Sequence, residues 1–371
     1  MRTRTPHARA AYASHPHGRR RPILVCLVVG LGALVLSLVA TDAGPSPSEA
    51  SAPGIPPRPS APPVGRSAVP THTSPTEPGT EVLAGPLDWG DPAIVTSGTT
   101  YSLYSSQPLP WVNVPVETGN GGGTWGPVED ALPVLPAWAQ SGATWSPEVH
   151  RFGTRWVLYF AAQIRGTDPA VHCIGDAIAD SPTGPFLAAA TPFVCQLSLG
   201  GSIDPRVYVS PSGSPTLVWK SDNNSDPAKY GHPTIWTQNL SADGLGLLGS
   251  PTPIFAPDRA WQDSLVEAPD LVTVEGRTWL FYSAGAGYWT SDYAIGVASC
   301  AGPLGPCADT GDTPLVASSA RDAGPGEESV FSRGGHYWLV FNPSCSIDGS
   351  SARPVAIDAL VFGKTGPAIA S

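Results

Sequence analysis

Asp91, Asp204 and Glu267 stand out in this chain because each opens a strand-like run in the same way. The segments are Asp91-Pro92-Ala93-Ile94-Val95, Ser202-Ile203-Asp204-Pro205-Arg206-Val207-Tyr208-Val209 and Glu267-Ala268-Pro269-Asp270-Leu271-Val272. Asp91 and Asp204 directly precede a proline, and Glu267 stands one residue earlier in its unit. Proline lacks an N–H and holds its predecessor extended, which suits a strand entrance that turns a side chain inward. If one cavity gathers the three acids, like charges and burial raise the pKa of at least one. A protonated carboxyl can then serve a leaving oxygen while an ionised one acts on water or sugar, the division of labour that glycosidic-bond hydrolysis needs. Asp168-Pro169 and Asp226-Pro227 share the dipeptide but lie in connectors, and read as ordinary turn acids.

Such convergence requires a fold that returns to one axis, and the chain contains a repeat that does so. Five units run from Asp91-Pro92 to Tyr104, Ser146-Pro147 to Tyr159, Asp204-Pro205 to Trp219, Ala268-Pro269 to Tyr282, and Glu327-Glu328 to Phe341. Each has an apolar residue two places after the proline position (Ile94, Val149, Val207, Leu271, Val330), a glycine-containing turn and an aromatic second strand. That is a β-hairpin recurring roughly every 55 to 65 residues. Radial repetition of antiparallel units protects sheet edges, so the expected fold is all-β, a five-bladed β-propeller. Its innermost strands would line a central channel and bring equivalent positions to one mouth.

Composition agrees. Gly 41, Pro 43, 12 Trp and 10 Tyr with 13% charged residues describe a turn-rich, strand-rich protein. A net charge of −10 argues against nucleic acid as a partner. Arg19, Arg20 and Arg21 precede a charge-free apolar run from Ile23 to Ala40, so residues 1–43 read as an export signal or membrane anchor. Residues 44–84, rich in Pro, Ser and Ala, read as a disordered linker, with the propeller spanning 85–371. Cys300 with Cys307 is the first expected disulfide and Cys173 with Cys195 the next; Cys345 is left over and Cys26 lies in the apolar run.

Taken together, Asp91-Pro92, Trp145-Ser146-Pro147-Glu148, Ser202-Ile203-Asp204-Pro205 and Glu267-Ala268-Pro269 resemble glycoside hydrolase family 43 from about Gly85 onward. The resemblance implies a five-bladed propeller hydrolase acting on arabinose- or xylose-containing plant polysaccharides. It implies Asp91 as the general base, Glu267 as the general acid, and Asp204 as the residue that tunes and orients the acid. It also implies inversion of configuration, with base and acid separated by about 6.5–9.5 Å to admit a water. The chain departs from the family in Glu-Ala-Pro, where Glu-Gly-Pro is usual. It departs again in Gly324-Pro325-Gly326-Glu327-Glu328, where many members carry a histidine near a channel ion. No cofactor is required on this reading; a structural calcium near Glu327 and Glu328 is the one metal to consider.

Trp145 and Trp89 are read as substrate-facing rings, with Trp111 and Trp125 helping to shape the rim. Arg353, before the last strand, is read as reaching the sugar or an acid, and Arg206 as structural. Trp156, Trp219, Trp279 and Trp338 are read as core. The histidines show no metal spacing, and His232 is the only one singled out for test. The partner is thus a polysaccharide, handled by a monomer outside the cell. Two other readings stay open here. One is a retaining glycosidase of the fructan and sucrose type, whose Asn-Asp-Pro and Arg-Asp-Pro signatures are replaced by Gly90-Asp91-Pro92 and Ile203-Asp204-Pro205. The other is a sugar-binding propeller without catalysis.

Overall fold

A strand with side chains buried on both faces shows no polar alternation, and the second strand of each repeat is such a run: Trp156-Val157-Leu158-Tyr159-Phe160 in one unit, Trp279-Leu280-Phe281-Tyr282 in another. The computed structural model describes residues 80–83, 88–107, 109, 111–120, 125–343 and 353–370. Strand β1 (Thr80–Leu83) comes first. The first blade is β2 (Ala93–Ser97), β3 (Thr100–Tyr104), β4 (Pro115–Gly119) and β5 (Glu129–Asp130). The second is β6 (Ala139–Phe152), β7 (Arg155–Ile164), β8 (His172–Ala179) and β9 (Leu187–Ala188). The third is β10 (Ser202–Val209), β11 (Pro215–Ser221), β12 (Ile235–Leu240) and β13 (Leu247–Phe255). The fourth is β14 (Val266–Val274), β15 (Arg277–Ala284), β16 (Ala294–Cys300) and β17 (Cys307–Asp309). In the fifth, β18 (Gly326–Arg333), β19 (His336–Asn342) and β20 (Val355–Gly363) are joined by β1 and β21 (Gly366–Ile369), both paired with β20. This is the expected five-bladed all-β propeller.

One apolar cluster fills each seam between neighbouring blades. Leu158 and Phe160 pack toward the first blade, while Val157 and Tyr159 from the same strand pack toward the third with Leu217 and Trp219. Val218 and Leu280 fill the next seam, Phe281 and Leu339 the one after, and Leu103 with Val340 and Val355 closes the ring. The alternation of side chains across the strand lets one short run supply two seams. The disulfides Cys173–Cys195 and Cys300–Cys307 are both formed.

The structure corrects two expectations. Strand β1 falls inside the stretch expected to be linker: its backbone pairs with Ile357, Ala356 and Val355 of β20, so Thr80–Leu83 belong to the fold. An unpaired β20 would expose a row of backbone donors and acceptors, and the segment that precedes the first blade covers part of it. The residues before the prolines are also not extended. Asp91, Ser146, Asp204 and Ala268 have φ of 53°, 48°, 53° and 48°, and Glu327, at the same place in the fifth blade but before Glu328, has φ of 56°. In four of the blades the pairing register breaks at this point, as in Ile203/Arg206 and Glu267/Asp270. Those four entries are bulges, which re-aim side chains, and all five entries carry a left-handed residue costing about 1–3 kcal/mol.

Cys26, Cys345 and the apolar run Ile23–Ala40 lie outside the described residues, and among those described no helix is long and apolar enough to cross a membrane. The one α-helix among the described residues, Pro227–Tyr230, is capped by Asp226, the connector acid.

Trp219 is fully buried and its Nε1 donates to Gln196 Oε1 at 2.8 Å. Trp219→Ala is expected to lower stability by about 3–5 kcal/mol, read as a shift of the urea midpoint with little change in slope.

Candidate active site

The five strand entries open on a cavity of about 580 Å³. Asp91, Asp204, Glu267 and Glu327 all line it, and so do Lys220, Asp222, Arg353, Asp88, His172, Trp145, Tyr288 and Trp289. The three acids singled out by sequence therefore share one cavity, and the structure adds three more carboxyls, Asp88, Asp222 and Glu327.

Asp91 enters from the first blade. Ser106 Oγ donates to its Oδ2, and Ser146 Oγ lies 3.0 Å from its Oδ1. Burial pushes this carboxyl up, but a hydrogen bond from Glu327, the Arg353 charge and the two serines outweigh it and hold Asp91 below the usual range. Arg353 is itself fixed by Asp88, with Nε at 2.6 Å and Nη2 at 2.9 Å from the two carboxylate oxygens, and its guanidinium lies over the Tyr288 ring at 4.8 Å. Gly90 makes room: a Cβ there would fall 1.8 Å from Arg353 Nη2.

Asp204 enters from the third blade, accepting from Ser146 Oγ at 2.7 Å and from the Ala268 N–H at 3.0 Å. Its pKa is pushed up to about 6 by burial and by the Asp91 and Glu267 charges, against the pull of Lys220. Glu267 enters from the fourth blade, where Lys220 Nζ donates to its Oε2 at 2.8 Å and the Tyr293 hydroxyl to its Oε1 at 2.7 Å. Lys220 is 1% exposed, and the carboxylates of Glu267, Asp222 and Asp204 overcome burial to raise its pKa, so it stays charged. The three acids thus occupy three distinct environments: Asp91 ionised, Asp204 shifted toward neutrality, and Glu267 beside an ammonium and a phenol.

Trp145 is 37% exposed, lines the cavity and stacks on His172 with ring centres 3.7 Å apart. His172, read as ordinary from the sequence, is a wall residue: its Nδ1 lies 3.9 Å from Asp222 Oδ2, and burial lowers its pKa to about 4, so the ring is neutral. His232 is exposed and not part of the cavity. Trp89 is a correction. It is 1% exposed and packed with Ile94, Leu103, Val340 and Val355 in the seam that closes the ring, and not on the cavity wall. Trp111 is exposed away from the cavity, and Trp125 packs on that same seam, so neither shapes this mouth. Arg206 faces an opposite cavity of about 540 Å³ with Glu148 and Asp270.

Sequence reading missed Lys220, Asp88, Asp222, Ser106, Tyr288, Trp289 and Tyr293. Lys220 alone left a trace, a single charge ending the apolar run Thr216-Leu217-Val218-Trp219. Among the described residues no group of three His, Cys, Asp or Glu side chains is arranged to hold a metal ion, and Glu327 turns its carboxyl to Asp91 and Tyr293.

Comparison with known proteins places this geometry. Residues 84–352 match the model of glycosyl hydrolases family 43. The chain belongs to that family. A segment of 161 residues is 26% identical to an extracellular exo-α-(1→5)-L-arabinofuranosidase of Streptomyces avermitilis, covering 42% of this chain and 31% of that relative. Among solved structures, a thermostable family-43 glycoside hydrolase superposes with a TM-score of 0.68 at 24% identity, covering 78% of this chain and 95% of that one. An exo-1,5-α-L-arabinanase from a bovine ruminal metagenomic library superposes with a TM-score of 0.60 at 19% identity, over 76% and 97%. As a family member the chain is a glycoside hydrolase, and the fructan-type and non-catalytic readings lose their support.

Glu328, the second departure from the family pattern, is 0% exposed. It accepts from Ser283 Oγ, its Oε1 has no partner, and burial pushes its pKa up to about 8. The folded state therefore holds a proton that the unfolded chain releases near its ordinary value. The stabilising contribution is complete below about pH 4.5 and is lost as pH rises to about 8, on the order of a few kcal/mol over the window. Glu328→Gln is expected to flatten this loss, seen as a smaller drop in unfolding free energy between pH 5 and 8.5 than in the unaltered protein.

Proposed function

We propose that this family 43 hydrolase is an exported, inverting enzyme that cleaves glycosidic bonds in arabinose- or xylose-containing plant polysaccharides. The observation that carries the reading is the unequal treatment of three convergent carboxyls: Asp91 held ionised, Asp204 bridging through Ser146 to Asp91, and Glu267 held between Lys220 and Tyr293. Asp91 takes a proton from a water as that water attacks the anomeric carbon. Glu267 gives a proton to the departing glycosidic oxygen as the bond breaks. Asp204, tied to the Ala268 N–H beside Glu267 and to Ser146 beside Asp91, orients both and the sugar between them. No bond forms between enzyme and sugar, so the configuration inverts.

The exposed face of Trp145 and the half-exposed rings of Tyr288 and Trp289 offer apolar surface to the C–H faces of a sugar, with Arg353 alongside. The named arabinofuranosidase favours arabinose-containing chains within this class and supports a location outside the cell.

Asp91→Asn and Glu267→Gln are each expected to lower kcat at least 10²-fold on the best substrate among arabinan, arabinoxylan, xylan and nitrophenyl glycosides. Proton NMR of the first product should show the anomer opposite to that cleaved. Full hydrolysis in both variants, or a retained anomer, would reject the assignment.

A further inference from the structure

The cavity wall holds six carboxyls, Asp88, Asp91, Asp204, Asp222, Glu267 and Glu327, against two cations, Lys220 and Arg353. The catalytic scheme leaves Asp88, Asp222 and Glu327 without a role; Asp88 pairs with Arg353 and Asp222 lies beside Lys220, whereas the surroundings of Glu327 are built as closely as those of the catalytic acids. It sits at the bulge of the fifth blade, in the same left-handed slot as Asp91 and Asp204. Its N–H donates to Ser283 Oγ at 2.8 Å, and the same serine donates to Glu328, so the backbone of the slot is pinned. Its Oε1 lies 3.1 Å from the hydroxyl of Tyr293, which lies 2.7 Å from Glu267 Oε1. Gly326 exists at this point for that contact: a Cβ there would fall 2.0 Å from Tyr293 Cε1, so the ring reaches between the two glutamates only over a bare backbone.

A phenol has one proton and cannot satisfy two carboxylates. The shorter contact takes it to Glu267, and Glu327 is left buried, facing the negative charges of Asp91, Glu267 and Asp204, with the phenols Tyr293 and Tyr288 and the guanidinium of Arg353 nearby. Arg353 is committed to Asp88, and Lys220 to Glu267 and Asp222. A buried carboxyl so placed keeps its proton, as one of two acids sharing a site does. We propose that Glu327 is a positioning residue of the hydrolytic site: it stays protonated, donates that proton in a hydrogen bond to Asp91, and so keeps the base ionised and aimed. Consistent with this, burial and the Asp91 and Glu267 charges raise Glu327 well above the usual carboxylate range, while Asp91 is held below it.

The inference rests on Asp91 being the base, and its test separates the two. Glu327→Ala removes the donor, so the acidic limb of the kcat/KM profile should move up by about one to two pH units, as loss of a hydrogen bond to a charged group implies. Glu327→Gln keeps a donor and should recover most of the activity lost in the alanine variant, with the acidic limb returned toward its original position. An acidic limb unmoved in Glu327→Ala, or a glutamine variant as impaired as alanine, overturns the proposal. Infrared difference spectra of the unaltered protein against Glu327→Gln at pH 7 read the proton without reference to turnover. A protonated-carboxyl band lost in the variant is expected, and its persistence overturns the proposal even if the alanine variant fails to fold. Should Asp91→Asn retain activity, the base assignment falls, while the infrared result still decides whether Glu327 carries the proton.

Discussion

Burying many carboxyls around one channel mouth is the constraint from which the rest of the site follows. A carboxylate out of water is stable only when paired, hydrogen-bonded or protonated. The fold uses all three means. Lys220 and Arg353 pair with Glu267 and Asp88; Ser106, Ser146 and the Ala268 N–H supply hydrogen bonds; Asp204 and Glu327 are driven toward the neutral form. Which acid is charged is decided by which neighbour it has, and that division is what acid–base hydrolysis of a sugar requires.

The bulges are the device that creates the crowding. A regular inner strand would present alternate side chains to the channel at ordinary spacing. One left-handed residue per blade instead turns Asp91, Ser146, Asp204 and Glu327 toward the same mouth and sets Glu267 beside Ala268. The backbone energy stored in these entries is offset by the inter-blade seams, each filled by two flanking second strands. Ring closure by β1 and β21 on β20 keeps the fifth blade, and with it Glu327 and Arg353, in register with the first.

Glu327 adds a buried carboxyl beside Asp91 and Glu267 at the mouth. The neighbouring Ala268, where glycine is usual, shows that the left-handed entry tolerates a methyl group in this chain.

Local sequence determined the five hairpins, because glycine turns and runs buried on both faces are properties of neighbouring residues. It also determined that Asp91, Asp204 and Glu267 meet, since a repeat around an axis equates positions far apart. Everything that depends on contacts between blades was decided by tertiary structure alone. Lys220 serves Glu267 from the adjacent blade, Tyr293 reaches two glutamates from a loop, and His172 backs Trp145 across a sheet. Trp89 was misread for the same reason: whether a ring faces cavity or seam is set by which neighbouring strand it meets, and no spacing in the chain encodes that.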